Sequence, residues 1–235
     1  MITSCILYCL CDNTSASGRM SFPTQGKTMP SLTVRAMAEM LRQPAYAQAR
    51  ILADQKYPKQ EPQVFRTPYY QQALTGIRNF YRSGRNSSQI SAALSKIEGL
   101  GQETRRLNNG RVITSFQKSP LFDRALSLQK VPHWKSSLGT VEFRLSPDLN
   151  VTEDDENRLL FLNFRNAKLD PEVAKLTSEI SHWVLETNGI KMPIDHIEYV
   201  DLFTGEIYSV KKRRAATTKA VIESAKIIEA LWPTL

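Results

Sequence analysis

Apolar positions recur every three or four residues along most of the first 130 positions, then on alternate residues in short runs after Trp134. The first pattern predicts a helix over Leu32–Arg42 with Ser31 as its N-cap, and a second over Ala45–Tyr57 opened by Pro44. The proline-rich segment 56–68 reads as a loop. Thr67 and Pro68 read as the cap and first position of a third helix, which stops near Gly84 and buries Tyr70, Leu74, Ile77 and Tyr81. Further helices are predicted at 88–98, 102–118 and 120–130, with Asn108-Asn109-Gly110 as a break in the longest.

Beyond Trp134, Val141, Phe143 and Leu145 alternate with Glu142, Arg144 and Ser146, the signature of a strand. An acidic loop, Glu153 to Glu156, leads to a second strand over Arg158–Arg165. Pro171 opens a helix with Val173, Leu176, Ile180, Trp183 and Val184 on one side, ended by Gly189. A hairpin joins Ile197–Leu202 to Glu206–Lys211 around Thr204-Gly205. A last helix, Thr217–Trp232, buries Val221, Ala225, Ile228 and either Leu231 or Trp232. The expected fold is therefore a mixed α/β chain in three parts. Residues 1–28 form a disordered leader, 29–135 a basic helical region, and 136–235 an α/β core.

Charge sharpens this division. The 235-residue chain has a net charge of +8. Residues 29–135 hold 17 Lys or Arg against 6 Asp or Glu, whereas residues 136–235 hold 12 against 16. A basic region of this kind favours a polyanion such as DNA or RNA, since neutralised phosphates release counterions. Cys5, Cys9 and Cys11 are the only cysteines, so residues 12–235 are expected to fold without a disulfide. No basic residue precedes the apolar run they sit in, which makes a poor signal peptide, and no apolar stretch is long enough to span a bilayer. A cytoplasmic protein without a membrane partner is expected.

Two basic arrays are candidates for phosphate contact. Arg78, Arg82 and Arg85 recur at helical spacing beside Phe80 and Tyr81, which would offer rings for base stacking, and Arg105, Arg106, Arg111 and Lys118 follow on a later helix. Lys211, Lys212, Arg213 and Arg214 precede the last helix, where they oppose its macrodipole and where a bound anion would offset both repulsions. The acidic loop does not fit a calcium loop, because Leu159 stands where the bidentate glutamate belongs. A solvated turn is expected there.

Asp148 places a carboxylate at a strand end, and Asn163 and Arg165, two apart on the second strand, are expected to share a face. On Pro147-Asp148 and, fifteen positions after the aspartate, Asn163-Phe164-Arg165 in place of Asp/Glu-x-Lys, residues 138–232 resemble the exonuclease-like branch of the PD-(D/E)XK nuclease superfamily. The resemblance implies a restriction-endonuclease-like α/β core with a helical region packed on it. It also implies a nucleic-acid substrate, with magnesium or manganese on Asp148 in an active member. Here the motif is degenerate: Asn163 is neutral, and Arg165 keeps its proton where a lysine might act as a base. A nucleic-acid-binding protein with a catalytically degenerate core is therefore expected. The alternatives are a magnesium-dependent nuclease whose groups have migrated, to Lys168, Glu172, Lys175 or Glu179, and a non-catalytic protein-interaction scaffold.

Overall fold

The structure, a computed structural model, describes residues 29–57 and 69–235. The expected leader, most of the proline-rich loop and the Thr67-Pro68 cap lie outside the described residues. The first elements are β1 (Ser31–Thr33), α1 (Val34–Leu41), α2 (Ala45–Lys56), α3 (Gln71–Arg82), α4 (Ser88–Glu98), α5 (Glu103–Lys118) and α6 (Pro120–Asp123). Strands β2 (Ser127–Gln129), β3 (Trp134–Leu138), β4 (Val141–Leu145), β5 (Leu149–Glu153) and β6 (Glu156–Asn163) follow. Helix α7 (Pro171–Thr187), strands β7 (Ile197–Asp201) and β8 (Ile207–Tyr208), and helix α8 (Ala215–Leu231) complete the α/β fold.

Two sheets organise these elements. A five-stranded sheet runs β2-β5-β6-β7-β8, with β6 and β7 parallel through the α7 crossover, and a three-stranded sheet runs β1-β4-β3. The larger sheet is covered on both faces. Leu160 and Leu162 of β6 share one core with α3, α4 and α5, through residues such as Ile77, Phe80, Ile90, Ile113 and Phe116. Leu159 and Phe161 point the other way, to α1, α7, α8 and the small sheet. Burial on both faces explains why β6 reads as an unbroken apolar run rather than an alternating one.

Several local expectations give way to tertiary pairing. Ser31 does not cap α1. Residues 31–33 instead form β1, parallel to β4, with Leu32 buried and the Ser31 hydroxyl donating to Glu142 at 2.8 Å. Thr33 is the cap, accepting from the Ala36 amide at 3.1 Å. Serine and threonine are both good caps, so local pattern does not separate them.

Asn108-Asn109-Gly110 does not break α5. The Asn109 side chain is fully buried and works for α3: its Oδ1 accepts from the Ala73 amide, and its Nδ2 donates to the Tyr69 carbonyl. This satisfies one of the orphan donors in the first turn of α3. The helix expected over 120–130 ends at Asp123. Arg124 is extended and ion-pairs with Glu153 and Glu198, which carries the chain into edge strand β2.

The strand expected from Val141 ends at Leu145, and Ser146-Pro147-Asp148 carries the chain from the small sheet to the large one. Pro147 has no amide to continue a ladder. The acidic run is a tight turn between β5 and β6, with Asp154 and Asp155 both left-handed at φ 48° and 63°. Aspartate tolerates that conformation, and it suits a two-residue hairpin. Among the described residues no helix is long and apolar enough to cross a membrane.

A cleft at the rim of the large sheet

Asp148 stands where the three layers meet. Its amide donates to Leu160 O at 2.9 Å, which seats it beside β6. Its Oδ2 accepts from the Leu162 amide at 2.7 Å and from Arg35 Nη2 at 2.6 Å. Arg35 reaches it from α1, with the guanidinium 5.4 Å from the Phe161 ring centroid and 5.3 Å from that of Tyr199. From the opposite layer, Arg78 on α3 donates through Nε and Nη2 to the Asp148 carbonyl at 3.1 and 2.7 Å. Burial disfavours both charges, and lowers the Arg78 value from the ordinary arginine range. For Arg35 burial is the largest single influence, but the Asp148 carboxylate together with Tyr199 and Glu39 outweighs it, so its affinity for the proton rises instead.

The motif residues do not meet as expected. Strand β6 ends at Asn163, so Arg165 lies in a turn rather than on the same strand face. The Asn163 side chain forms that turn, its Oδ1 accepting from the Arg165 amide and its Nδ2 donating to the Ala167 carbonyl, both at 3.1 Å. Arg165 is left 73% exposed, 3.9 Å from Glu39. The cation that pairs with Asp148 is thus Arg35, whose one-turn neighbour Glu39 also reaches the rim. Sequence reasoning missed both. The available signal was an Arg and a Glu four apart on the polar side of α1, a pattern that also fits a plain exposed ion pair.

An open cleft of about 800 Å³ lies against this rim. Its walls are α1 and α2, the 163–169 turn with the start of α7, and the Tyr69-Tyr70 turn. Arg35, Arg50, Arg165 and Lys168 line it, together with Glu39, Asp54 and Asp170. Asp170 is engaged already: it caps α7 through the Glu172 amide and pairs with Arg42. The amide bond, aided by Arg42, holds its carboxyl below the usual aspartate range. Burial raises the Tyr70 and Tyr199 hydroxyls above the ordinary tyrosine range, so both rings stay neutral near pH 7.

The remaining basic candidates divide by environment. Phe80 and Tyr81 are buried in the helical layer and cannot stack on bases, which corrects the expectation for the Arg78-Arg82-Arg85 array. Arg82 and Arg85 are exposed. Arg105 is buried and donates to the Tyr69 carbonyl at 3.2 Å, and Arg106 lies 3.9 Å from Glu98. Arg111, Lys118, Lys211 and Lys212 are exposed. Arg213 pairs with Glu186, while Arg214 pairs with Glu172 and with buried Glu179, 2.7 Å away. These two arginines tie α8 to α7. Of the four migrated-site candidates, Glu172 and Glu179 are therefore committed to Arg214, and Lys168 and Lys175 are exposed.

The residues present do not fit a magnesium ion. A magnesium site needs carboxylate oxygens in near-octahedral array. Asp148 is bonded through one oxygen to a guanidinium and an amide, and the Asn163 amide is turned into its own loop. Among the described residues, no three His, Cys, Asp or Glu side chains converge as a metal site. Comparison with family models, with curated proteins and with solved structures finds no match.

Proposed function

We propose that this protein binds nucleic acid in the cleft beside α1 and α2, on a core like that of PD-(D/E)XK nucleases whose metal site is degenerate. One observation carries the reading. The cleft is lined by four cations against three carboxylates, one of which, Asp170, is already engaged by Arg42: Arg50 and Lys168 have no ion-pair partner among the described residues, and exposed Arg165 meets Glu39 no closer than 3.9 Å. Such groups lower the free energy of a phosphate backbone by releasing its counterions. Arg35 supports the degenerate part of the proposal, because it holds a permanent positive charge on the one motif carboxylate.

A second reading, a magnesium-dependent nuclease with a migrated site, draws on Glu39, which brings another carboxylate to the same cleft. Binding and cleavage separate the two. Labelled 20-nucleotide DNA and RNA, single-stranded and duplex, are titrated in EDTA and again with magnesium or manganese, and the products are run on a denaturing gel. Binding in EDTA that weakens steeply with salt, with intact oligonucleotides in both metals, is expected. Absence of binding to every oligonucleotide would overturn the proposal. Cleavage abolished by Glu39→Gln or Asp148→Asn would replace it with the second reading.

A further inference from the structure

The cleft has an aromatic wall as well as cations. Tyr70 stacks on Phe164 with ring centroids 5.5 Å apart and planes 20° from parallel, and Tyr69 meets the Tyr70 ring edge-on at 4.9 Å. Phe164 is nearly buried behind them, whereas Tyr69 is 39% exposed. The turn is held firmly from α5. Asn108 Nδ2 donates to the Tyr69 hydroxyl at 2.9 Å, and Asn109 and Arg105 donate to the Tyr69 carbonyl. Two rings fixed in this way lose little conformational entropy on gaining a partner. Flat ring partners are the faces of unpaired bases, which a duplex hides inside its own stack.

A second groove, of about 500 Å³, runs along α5 and is lined by Arg106, Arg111, Thr114, Asn166 and Phe203 among others. Arg111 has no ion-pair partner among the described residues. The two grooves adjoin at one turn: Asn166 lines the second, and its neighbours Arg165 and Ala167 line the first. Exposed Arg165 and Lys168 line the aromatic-walled cleft on either side of this shared turn.

We infer that the cleft and the α5 groove form one track for a single strand of nucleic acid. Its bases stack on Tyr69 and Tyr70, and its phosphates lie along Arg165, Lys168 and Arg111. This rests on the nucleic-acid reading above and narrows it to unpaired strands. Base–aromatic stacking tolerates any sequence, so the track discriminates pairing state rather than base identity.

The test is fluorescence anisotropy with labelled oligothymidine of 20 nucleotides and with a 20-base-pair duplex, in EDTA. The wild-type chain is compared with Tyr69→Leu, Tyr70→Leu and Arg111→Ala, each checked by circular dichroism and melting. Tyr69→Leu alters an exposed ring, so it reports even if Tyr70→Leu disturbs Phe164. The strand is expected to bind at least tenfold tighter than the duplex, and each tyrosine variant to weaken it about tenfold. Arg111→Ala is expected to flatten the salt dependence by roughly 0.7 in log–log slope. Equal affinity for strand and duplex, or strand binding untouched by both tyrosine variants, overturns the single-strand track while leaving nucleic-acid binding in place. Failure to bind either probe removes both.

Discussion

Arg35 and Asp148 are 113 positions apart and form the contact that defines the rim. Asp148 was legible in the sequence, because Pro147-Asp148 interrupts two apolar runs and so marks a strand boundary. Arg35 was not, because nothing local distinguishes an arginine that folds inward over the Phe161 and Tyr199 rings from one that points to water. Their side chains are only 28% and 13% exposed, so removing one partner leaves a poorly solvated charge. Arg35→Met should cost about 3 kcal/mol of stability, by analogy with other broken buried pairs. Adding Asp148→Asn, which removes the stranded charge and retains an acceptor for the Leu162 amide, should recover about 2 kcal/mol of it. A double-mutant cycle by urea denaturation measures this coupling. Simply additive losses would show that the pair contributes nothing at the rim.

The legibility of the elements follows their dependence on distant partners. Helices α2, α4, α7 and α8 sit within a few residues of their expected limits, because an amphipathic period and terminal Pro or Gly are local signals. Strands β1, β2 and β3 escaped notice. Each is at most five residues long and partly exposed, and the first two exist only through pairing with β4 and β5. Interhelical packing was equally hidden. Gly76 on α3 approaches α4 so closely that an added Cβ would lie 2.6 Å from the Ala93 Cβ, whereas Gly110 on α5 faces open space. Both sit inside helices, where Ala is favoured over Gly by about 1 kcal/mol. Gly110→Ala should therefore stabilise by up to about 1 kcal/mol. Gly76→Ala should destabilise by about 1 kcal/mol or more, since overpacking typically costs about 1–3 kcal/mol. Thermal melts of the two variants give opposite signs if α3 and α4 pack as described. A stabilised Gly76→Ala would refute that contact.

At the scale of the whole molecule, the charge division anticipated from the sequence is redistributed by folding. Residues 29–41, counted with the basic helical region, sit with α7, α8 and the small sheet on one face of the large sheet, while α3 to α6 cover the other. Arg35 and Arg78 reach Asp148 from these two layers. The basic run before α8 is partly used up in docking that helix on α7 through Glu172, Glu179 and Glu186. Arg50 and Lys168 at the cleft and Arg111 in the α5 groove are among the cations left without an ion-pair partner among the described residues; in linear order Arg50 was unremarkable, Arg111 was read only as part of an array and Lys168 only as a migrated-site candidate. Whether nucleic acid lies in the cleft is read out by ultraviolet crosslinking of bound oligothymidine with identification of the modified peptides. Adducts are expected at Tyr69, Tyr70 and the 163–168 turn, and should be lost when unlabelled strand competes. Adducts confined to Lys211–Arg214 or to the exposed side of α4, with none around the cleft, would contradict it.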